Sequence, residues 1–338
     1  MSAPDGSARL GSFELQVEVY VRGPGRYAWE VNEDHGGAPG HRHPHPPDDP
    51  SGHPRIGFVG AGRVANALGV IFGQAGWPVA AIATRDEANA ARFLERVPGA
   101  HAVPSITAVT DDVDLIFVTV PDDAIADVAT ELRLDAGQAA VHTSGALDSS
   151  VLEPARAAGT QLGSFHPMVA FANQEAAVRS LPGSTIALEG DQELVALLAQ
   201  LATDIGAQPV RLPPTGKTAY HAAAVLAGGG VIGLLDGVAE VARGAGLDEA
   251  GALAIYVPLI RQALTNAEAM GIGEALTGPF VRGDVGTIRG HLEAMRRLAP
   301  GAVEMYRATA TRELDLAVGR GAISEEQALP LRRLLDEG

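Results

Sequence analysis

From Arg55 onward, short apolar runs alternate with longer stretches in which apolar residues recur at helical spacing. The runs Arg55–Val59, Val79–Thr84, Leu115–Val120, Ala139–His142, Gln161–Ser164, Thr185–Leu188 and Pro209–Leu212 are predicted strands. The alanine-rich segments Arg63–Phe72, Glu87–Arg96, Ala124–Glu131 and Glu193–Ile205 are predicted helices between them. Strands alternating with helices imply βαβ units and a mostly parallel, doubly wound sheet covered on both faces, an α/β class. Beyond Pro213 the strand pattern stops. Thr218–Gly244, Glu249–Ala269, Thr287–Leu298 and Ala302–Val318 read as long helices punctuated by Pro and Gly, which predicts an all-α C-terminal domain. A boundary at Pro213–Pro214 therefore separates residues 55–213 from 214–338.

Residues 1–54 follow neither pattern. Phe13–Val21 alternates in character and Arg26–Val31 reads as a return strand after a Gly-Pro-Gly turn. Asp34–Pro54 is mostly Gly, Pro, Asp and His, too poor in apolar side chains to fold, and reads as a linker. Its His35, His41, His43, His45 and His53 are weak candidates for divalent metal, and no functional metal site is expected. Over-extension of the reading frame upstream of Pro54 explains the segment equally well.

Composition narrows the function. A net charge of −16 and a pI near 5.0 argue against a nucleic-acid surface, which needs clustered Lys and Arg. An acidic chain that binds an anionic cofactor must use backbone amides and one or two Arg. The absence of cysteine excludes disulfides, thiolate zinc sites and thiol nucleophiles, and fits a reducing cytoplasm. No signal peptide is read at the N-terminus. The longest apolar stretch, Ala222–Leu235, is Gly-rich and short of a membrane span, and is expected to be a buried core helix.

The strongest motif is Arg55-Ile-Gly-Phe-Val-Gly60-Ala-Gly62-Arg63-Val-Ala65, an apolar strand running into Gly-x-Gly-x-x-Ala and then a helix. Gly60 permits the tight turn, Gly62 lets backbone approach a pyrophosphate, and small Ala65 lets helix pack on strand. With Ala61, Arg63 and Val64 these residues form a candidate dinucleotide site at a helix N-terminus, in a Rossmann doubly wound sheet. At the end of the second strand, where NAD enzymes place an acid, the chain reads Ala83-Thr84-Arg85. Thr84 and Arg85 suit a 2′-phosphate, so NADP (NADPH) is the expected cofactor; a solvated Arg85 beside Asp86 is the competing reading. Val120 and Pro121, at the end of the third predicted strand, are candidates to line the nicotinamide-side ribose, or simply begin the next helix.

Two loops carry polar residues where a reacting carbonyl would lie: His142-Thr-Ser144-Gly145 and Ser164-Phe-His166-Pro167-Met168. His142 is a candidate substrate contact; Ser144 and His166 are candidate catalytic residues. Both histidines could instead brace their loops. Lys217 and His221, four residues apart, share a helix face, and either can donate the proton that hydride transfer to a carbonyl requires. A surface lysine is the plainer account of Lys217. Arg282 could fork onto a substrate carboxylate, with Asp284 beside it, or the two could form a structural ion pair.

At these residues the chain resembles the proteins that join a Rossmann-like N-terminal domain to a domain of unknown function 2520. The resemblance rests on Phe58-Val-Gly60-Ala-Gly62-Arg63-Val64, His142-Thr-Ser144-Gly145, Phe165-His166-Pro167, Tyr220-His221-Ala222-Ala223 and Leu276-Thr-Gly-Pro-Phe-Val-Arg282-Gly-Asp284. It implies an architecture similar to ketopantoate reductases, pyrroline-5-carboxylate reductases and the 6-phosphogluconate dehydrogenase superfamily. The expected activity is NADPH-dependent reduction of a small carboxylate-bearing ketone or imine, with 2-dehydropantoate first. A prephenate-like dehydrogenase using His166 and a catalytically silent NADP sensor are the alternatives. The expected partners are a small carboxylate substrate and a second copy bound through the helical domain, with neither nucleic acid nor membrane. The chain departs from the family at Gly229, where many members carry Asn.

Overall fold

A computed structural model describes residues 52–337. The strand expectations for Phe13–Val21 and Arg26–Val31, and four of the five linker histidines, lie outside them. The fifth, His53, stacks on Trp77 with ring centroids 4.1 Å apart.

Among the described residues eight strands form one sheet: β1 (Ile56–Val59), β2 (Val79–Ala83), β3 (His101–Val103), β4 (Leu115–Val118), β5 (Ala139–His142), β6 (Gln161–Pro167), β7 (Thr185–Gly190) and β8 (Gln208–Arg211). Their order is β3-β2-β1-β4-β5-β6-β7-β8, parallel throughout except for β6 against β7. The expected mostly parallel sheet is thus present, with one strand more than the apolar runs predicted. β3 is only three residues long and its first two are exposed, so it carries little apolar signal.

The helices of this region are α1 (Arg63–Gln74), α2 (Glu87–Arg96), α3 (Ile106–Val109), α4 (Ile125–Glu131), α5 (Gln174–Ser180) and α6 (Gln192–Asp204). On one face, α1 and α6 bury Leu68, Phe72, Leu194 and Leu198 against Phe58, Phe117 and Phe165 from β1, β4 and β6. Phe117 and Phe165 meet edge to face at 5.5 Å. The other face packs Val59, Ile116 and Val118 under Ile125, Leu132 and Leu152. With both faces covered, β1 and β4 are buried at every position, which is why their sequences read as continuous apolar runs rather than alternating ones.

The C-terminal helices are α7 (Lys217–Ala227), α8 (Gly229–Gly244), α9 (Glu249–Met270), α10 (Ile272–Ala275), α11 (Val285–Leu298), α12 (Val303–Gly319) and α13 (Glu325–Asp336). The chain divides into two units after Ala224, so the first two turns of α7 belong with the sheet. The second unit packs Phe280, Ile288, Leu292, Leu314 and Leu331 into its own core.

Two expectations are corrected here. The helix predicted over Thr218–Gly244 is interrupted at Gly228. The stretch Ala222–Leu235 is also not a buried core helix: Val225, Leu226, Val231 and Ile232 are exposed. The surrounding Pro214–Gly244 is long and apolar enough to cross a membrane by length and composition, so the stretch is not the short one expected. A glycine- and alanine-rich sequence at high mean hydropathy does not distinguish burial in a core from an apolar surface.

Candidate active site

The turn between β1 and α1 is built almost wholly from backbone. Gly60 has φ of +95°, and a Cβ there would lie 2.8 Å from the Thr119 carbonyl oxygen, so only glycine fits. A Cβ on Gly62 would meet nothing within 4 Å, which leaves open space above the first turn of α1. That helix has no side-chain cap and no acidic residue in its first turn. Its free N–H groups and positive dipole end therefore face that space, as a pyrophosphate requires. Asn66 braces the turn from beneath, donating to the carbonyls of Ala61 and Gly62 at 3.0 Å each. Val120 closes the turn from the β4 side, where its Cγ1 would lie 3.0 Å from a Gly60 Cβ, and Pro121 begins the short helical turn Asp122–Ala124.

At the end of β2, Asp86 is turned away from Arg85. Its carboxylate caps α2 by accepting from the Asn89 backbone N–H at 3.0 Å, and its own N–H donates to the Thr84 hydroxyl at 3.3 Å. Arg85 is exposed and has no ion pair or hydrogen bond among the described residues. The residues present fit a nucleotide carrying a 2′-phosphate: an open backbone cradle, an uncapped helix and an uncommitted guanidinium.

A second cluster gathers beside Gly145 from β5, β6, β7 and α7. The parallel pairing of β5 with β6 sets His142 beside Ser164, and the antiparallel pairing of β6 with β7 sets Ser164 beside Glu189. Lys217, at the start of α7, is only 2% exposed. Its Nζ donates to Ser164 Oγ at 2.7 Å and to the Ser144 carbonyl at 3.2 Å. Burial pushes its pKa down to about 8, against the pull of Glu189, Asp148 and Asp122. It is the only lysine in the chain; the other 24 of the 25 cationic residues are arginines, which stay charged at any working pH.

His166 and His221 meet edge to face at 5.6 Å, and Tyr220 stands 5.8 Å from His166. Gly145 lies between the imidazoles: a Cβ there would come within 2.4 Å of His221 Nδ1 and 2.7 Å of His166 Nε2. His166 Nδ1, His221 Nδ1 and the Tyr220 hydroxyl are buried without a hydrogen-bond partner among the described residues. An orphaned His221 Nδ1 facing a glycine, with further orphaned atoms on the neighbouring His166 and Tyr220, marks a place where a polar ligand can complete the bonding. Burial, with His221 and Lys217 nearby, pushes the His166 pKa down to about 4, so this imidazole is neutral at pH 7.

His142 and Ser144 are brought to the cluster but are occupied. His142 is fully buried, its Nε2 donating to the Asp148 carbonyl at 3.1 Å and its Nδ1 accepting from the Ser144 N–H at 3.2 Å. It braces the loop, and burial lowers its pKa to about 3. Ser144 Oγ donates to Asp122 at 2.8 Å and accepts from the N–H groups of Ala146 and Leu147. Arg282 and Asp284 belong to the helical unit. Asp284 caps α11 through Thr287, and no ion pair joins it to Arg282 among the described residues.

The residue that sequence reasoning missed is Glu189. It sits 4% exposed in β7, accepting from the Ser149 N–H at 2.7 Å, the Ser149 hydroxyl at 2.8 Å and the Ser164 hydroxyl at 3.4 Å. An isolated acid in the otherwise apolar run Thr185–Gly190 was its signal.

With this geometry in hand, two family models match the chain: a Rossmann-like domain over residues 47–167 and a domain of unknown function, DUF2520, over residues 184–313. The chain belongs to the family that joins these two domains. The DUF2520 match begins at β7, so the strand carrying Glu189 and the helix carrying Lys217 fall within it. No curated protein matches the chain in sequence. Among solved structures, a Bacteroides fragilis protein assigned as an NADP oxidoreductase superposes with a TM-score of 0.66 at 21% identity, over 78% of this chain and 98% of that one. A Thermotoga maritima protein gives 0.60 at 25% identity, over 78% and 99%. The 1-pyrroline-5-carboxylate reductase of Streptococcus pyogenes gives 0.56 at 19% identity, over 79% and 99%. At such identities the likeness is one of fold.

Proposed function

We propose that the chain is an NADPH-dependent reductase of a small carboxylate-bearing ketone or imine, with 2-dehydropantoate the leading substrate. The observation that carries this reading is the chain's single lysine, buried and able to lose a proton near neutral pH, in a cluster where His166, His221 and Tyr220 each keep an orphaned polar atom. NADPH bound there would supply the hydride for the polar double bond. Gly60–Val64 hold its pyrophosphate, and Thr84 and Arg85 its 2′-phosphate. His166, His221 and Tyr220 orient the substrate through their free polar atoms, and Lys217 gives the proton that the reduced oxygen or nitrogen requires. The fold shared with an assigned NADP oxidoreductase and a 1-pyrroline-5-carboxylate reductase supports the same class. The neutral, weakly basic His166 counts against an oxidative reaction that would begin with this imidazole taking a hydroxyl proton.

Fluorescence titration with NADPH and NADH, repeated with 2-dehydropantoate while absorbance at 340 nm is followed, tests the reading. Tight NADPH binding with turnover is expected. Tight binding with no turnover on any keto acid or imine would favour a nucleotide sensor, and no binding of either nucleotide would sink the proposal.

We also infer a homodimer through the helical unit. Exposed Ile232, Ile255, Leu259 and Leu264 on α8 and α9 leave apolar side chains open to solvent, interspersed with exposed Asp236, Arg261 and Glu268 of the kind that rims a protein–protein contact. Sedimentation velocity should give twice the 34.8 kDa chain mass; a monomer at micromolar concentration would refute this.

A further inference from the structure

Once Lys217 has given up its proton it must regain one, and it is almost sealed from solvent. Of its two hydrogen bonds, the one to the Ser144 carbonyl leads nowhere, since a carbonyl has no proton to pass. The other leads to Ser164 Oγ, which donates to Glu189 Oε2; Glu189 Oε1 in turn accepts from the Ser149 hydroxyl. Ser149 is half-buried and the next residue, Ser150, is exposed. Lys217, Ser164, Glu189 and Ser149 thus make an unbroken line of proton-bearing groups from the buried amine to the surface. Their partners come from four separate segments, and Glu189 makes no ion pair that would explain its burial among the described residues.

We propose that Ser164, Glu189 and Ser149 form a relay that returns a proton from solvent to Lys217 after each turnover. The inference rests on Lys217 being the proton donor. Each hop is balanced. Ser149 passes its hydroxyl proton to Glu189 Oε1 and takes one from water. The Glu189 carboxyl rotates and passes a proton to Ser164 Oγ as the Ser164 hydroxyl proton moves to Lys217 Nζ. The net change is one solvent proton gained by the amine, with every serine and the carboxylate restored. Ser164, Glu189 and Ser149 act through Lys217 and are positioning residues rather than groups that touch substrate.

Because Lys217 is the only lysine, a protein grown with 15N-lysine gives one side-chain ammonium signal, and its hydrogen exchange with solvent can be followed without any substrate. Exchange at Nζ should slow at least tenfold in Glu189→Gln, which keeps the shape and an acceptor for the Ser149 N–H. Ser149→Ala, at the surface end, should slow it in the same direction. In stopped-flow reactions with NADPH and 2-dehydropantoate, Ser149→Ala, which leaves the Glu189 charge beside Lys217, should complete a first turnover near the wild-type rate and then run a steady state at least tenfold slower. A merely structural role would lower both phases together. Equal Nζ exchange in wild type and both variants would overturn the relay whatever the substrate. A wild-type first-turnover rate in Lys217→Ala would instead overturn the reading of Lys217 and leave the exchange result to be judged separately.

Discussion

The β1–α1 turn and the Gly145 cluster follow the ends of β1 and β5, with β4 between them, and are built in opposite ways. The turn is backbone: two glycines, an uncapped helix and one bracing asparagine, all within residues 60–66. The cluster is side chain: Lys217, His166, His221, Tyr220, Ser164 and Glu189, drawn from segments up to 73 residues apart in a single hydrogen bond. A backbone cradle offers the same amides to any dinucleotide, so it fixes a cofactor class. The buried side chains have pKa values set by their surroundings, and those decide what chemistry is possible.

Placing a methyl group at the centre of the cluster should have the largest effect. In Gly145→Ala the new Cβ would collide with His221 Nδ1 and His166 Nε2, so both imidazoles must swing aside. Because displacing reacting groups by about 1 Å can cost ~100-fold, kcat should fall by that order while NADPH affinity is kept. Unchanged kcat would mean that the imidazoles do not orient substrate.

A pH profile separates the cluster from the turn. With the Lys217 pKa near 8, kcat should hold below that pH and fall about tenfold per unit above it as the ammonium is lost. NADPH affinity should show no matching break. A flat kcat up to pH 10 would remove Lys217 as the acid.

Arg85→Ala probes the turn alone. Losing one charged hydrogen bond of about 1.5–3 kcal/mol should weaken NADPH binding by ~10-fold or more and leave NADH binding unchanged. Equal effects on both nucleotides would refute the 2′-phosphate assignment.

The smallest effect is on stability. His142 and His166 have folded pKa values near 3 and 4, below the 6.5 of an unfolded histidine. Between pH 6.5 and 4 the unfolded chain binds protons that these two folded imidazoles refuse, so stability falls as pH falls, by about 1 kcal/mol per unit for each group. Tm should drop across that window, and replacing His142 with Gln should flatten the slope.

The same contrast explains what could be read from the sequence. The glycine turn is local, and Gly60-Ala-Gly62 between an apolar strand and a helix was enough to place it. So were seven of the eight strands, whose buried runs stand out. The cluster was read only in part. His166, Lys217 and His221 stood out as reactive residue types, but Ser144 and His142 looked equally reactive and are held by their own loop and by Asp122. Glu189 was missed because only the reversed direction of β7 brings it to Ser164. No local pattern announces that reversal. The helix α13 was missed although Ser324 and Gln327 form a reciprocal cap at its start, a signal visible in the sequence.

The most direct test of the account is the kcat of Lys217→Ala for NADPH-dependent reduction of the best substrate found, measured beside its NADPH affinity. With Lys217 as the proton donor, kcat should lie at least ~100-fold below wild type, the lower range for loss of a general acid, with NADPH affinity unchanged. A kcat within twofold of wild type would contradict it.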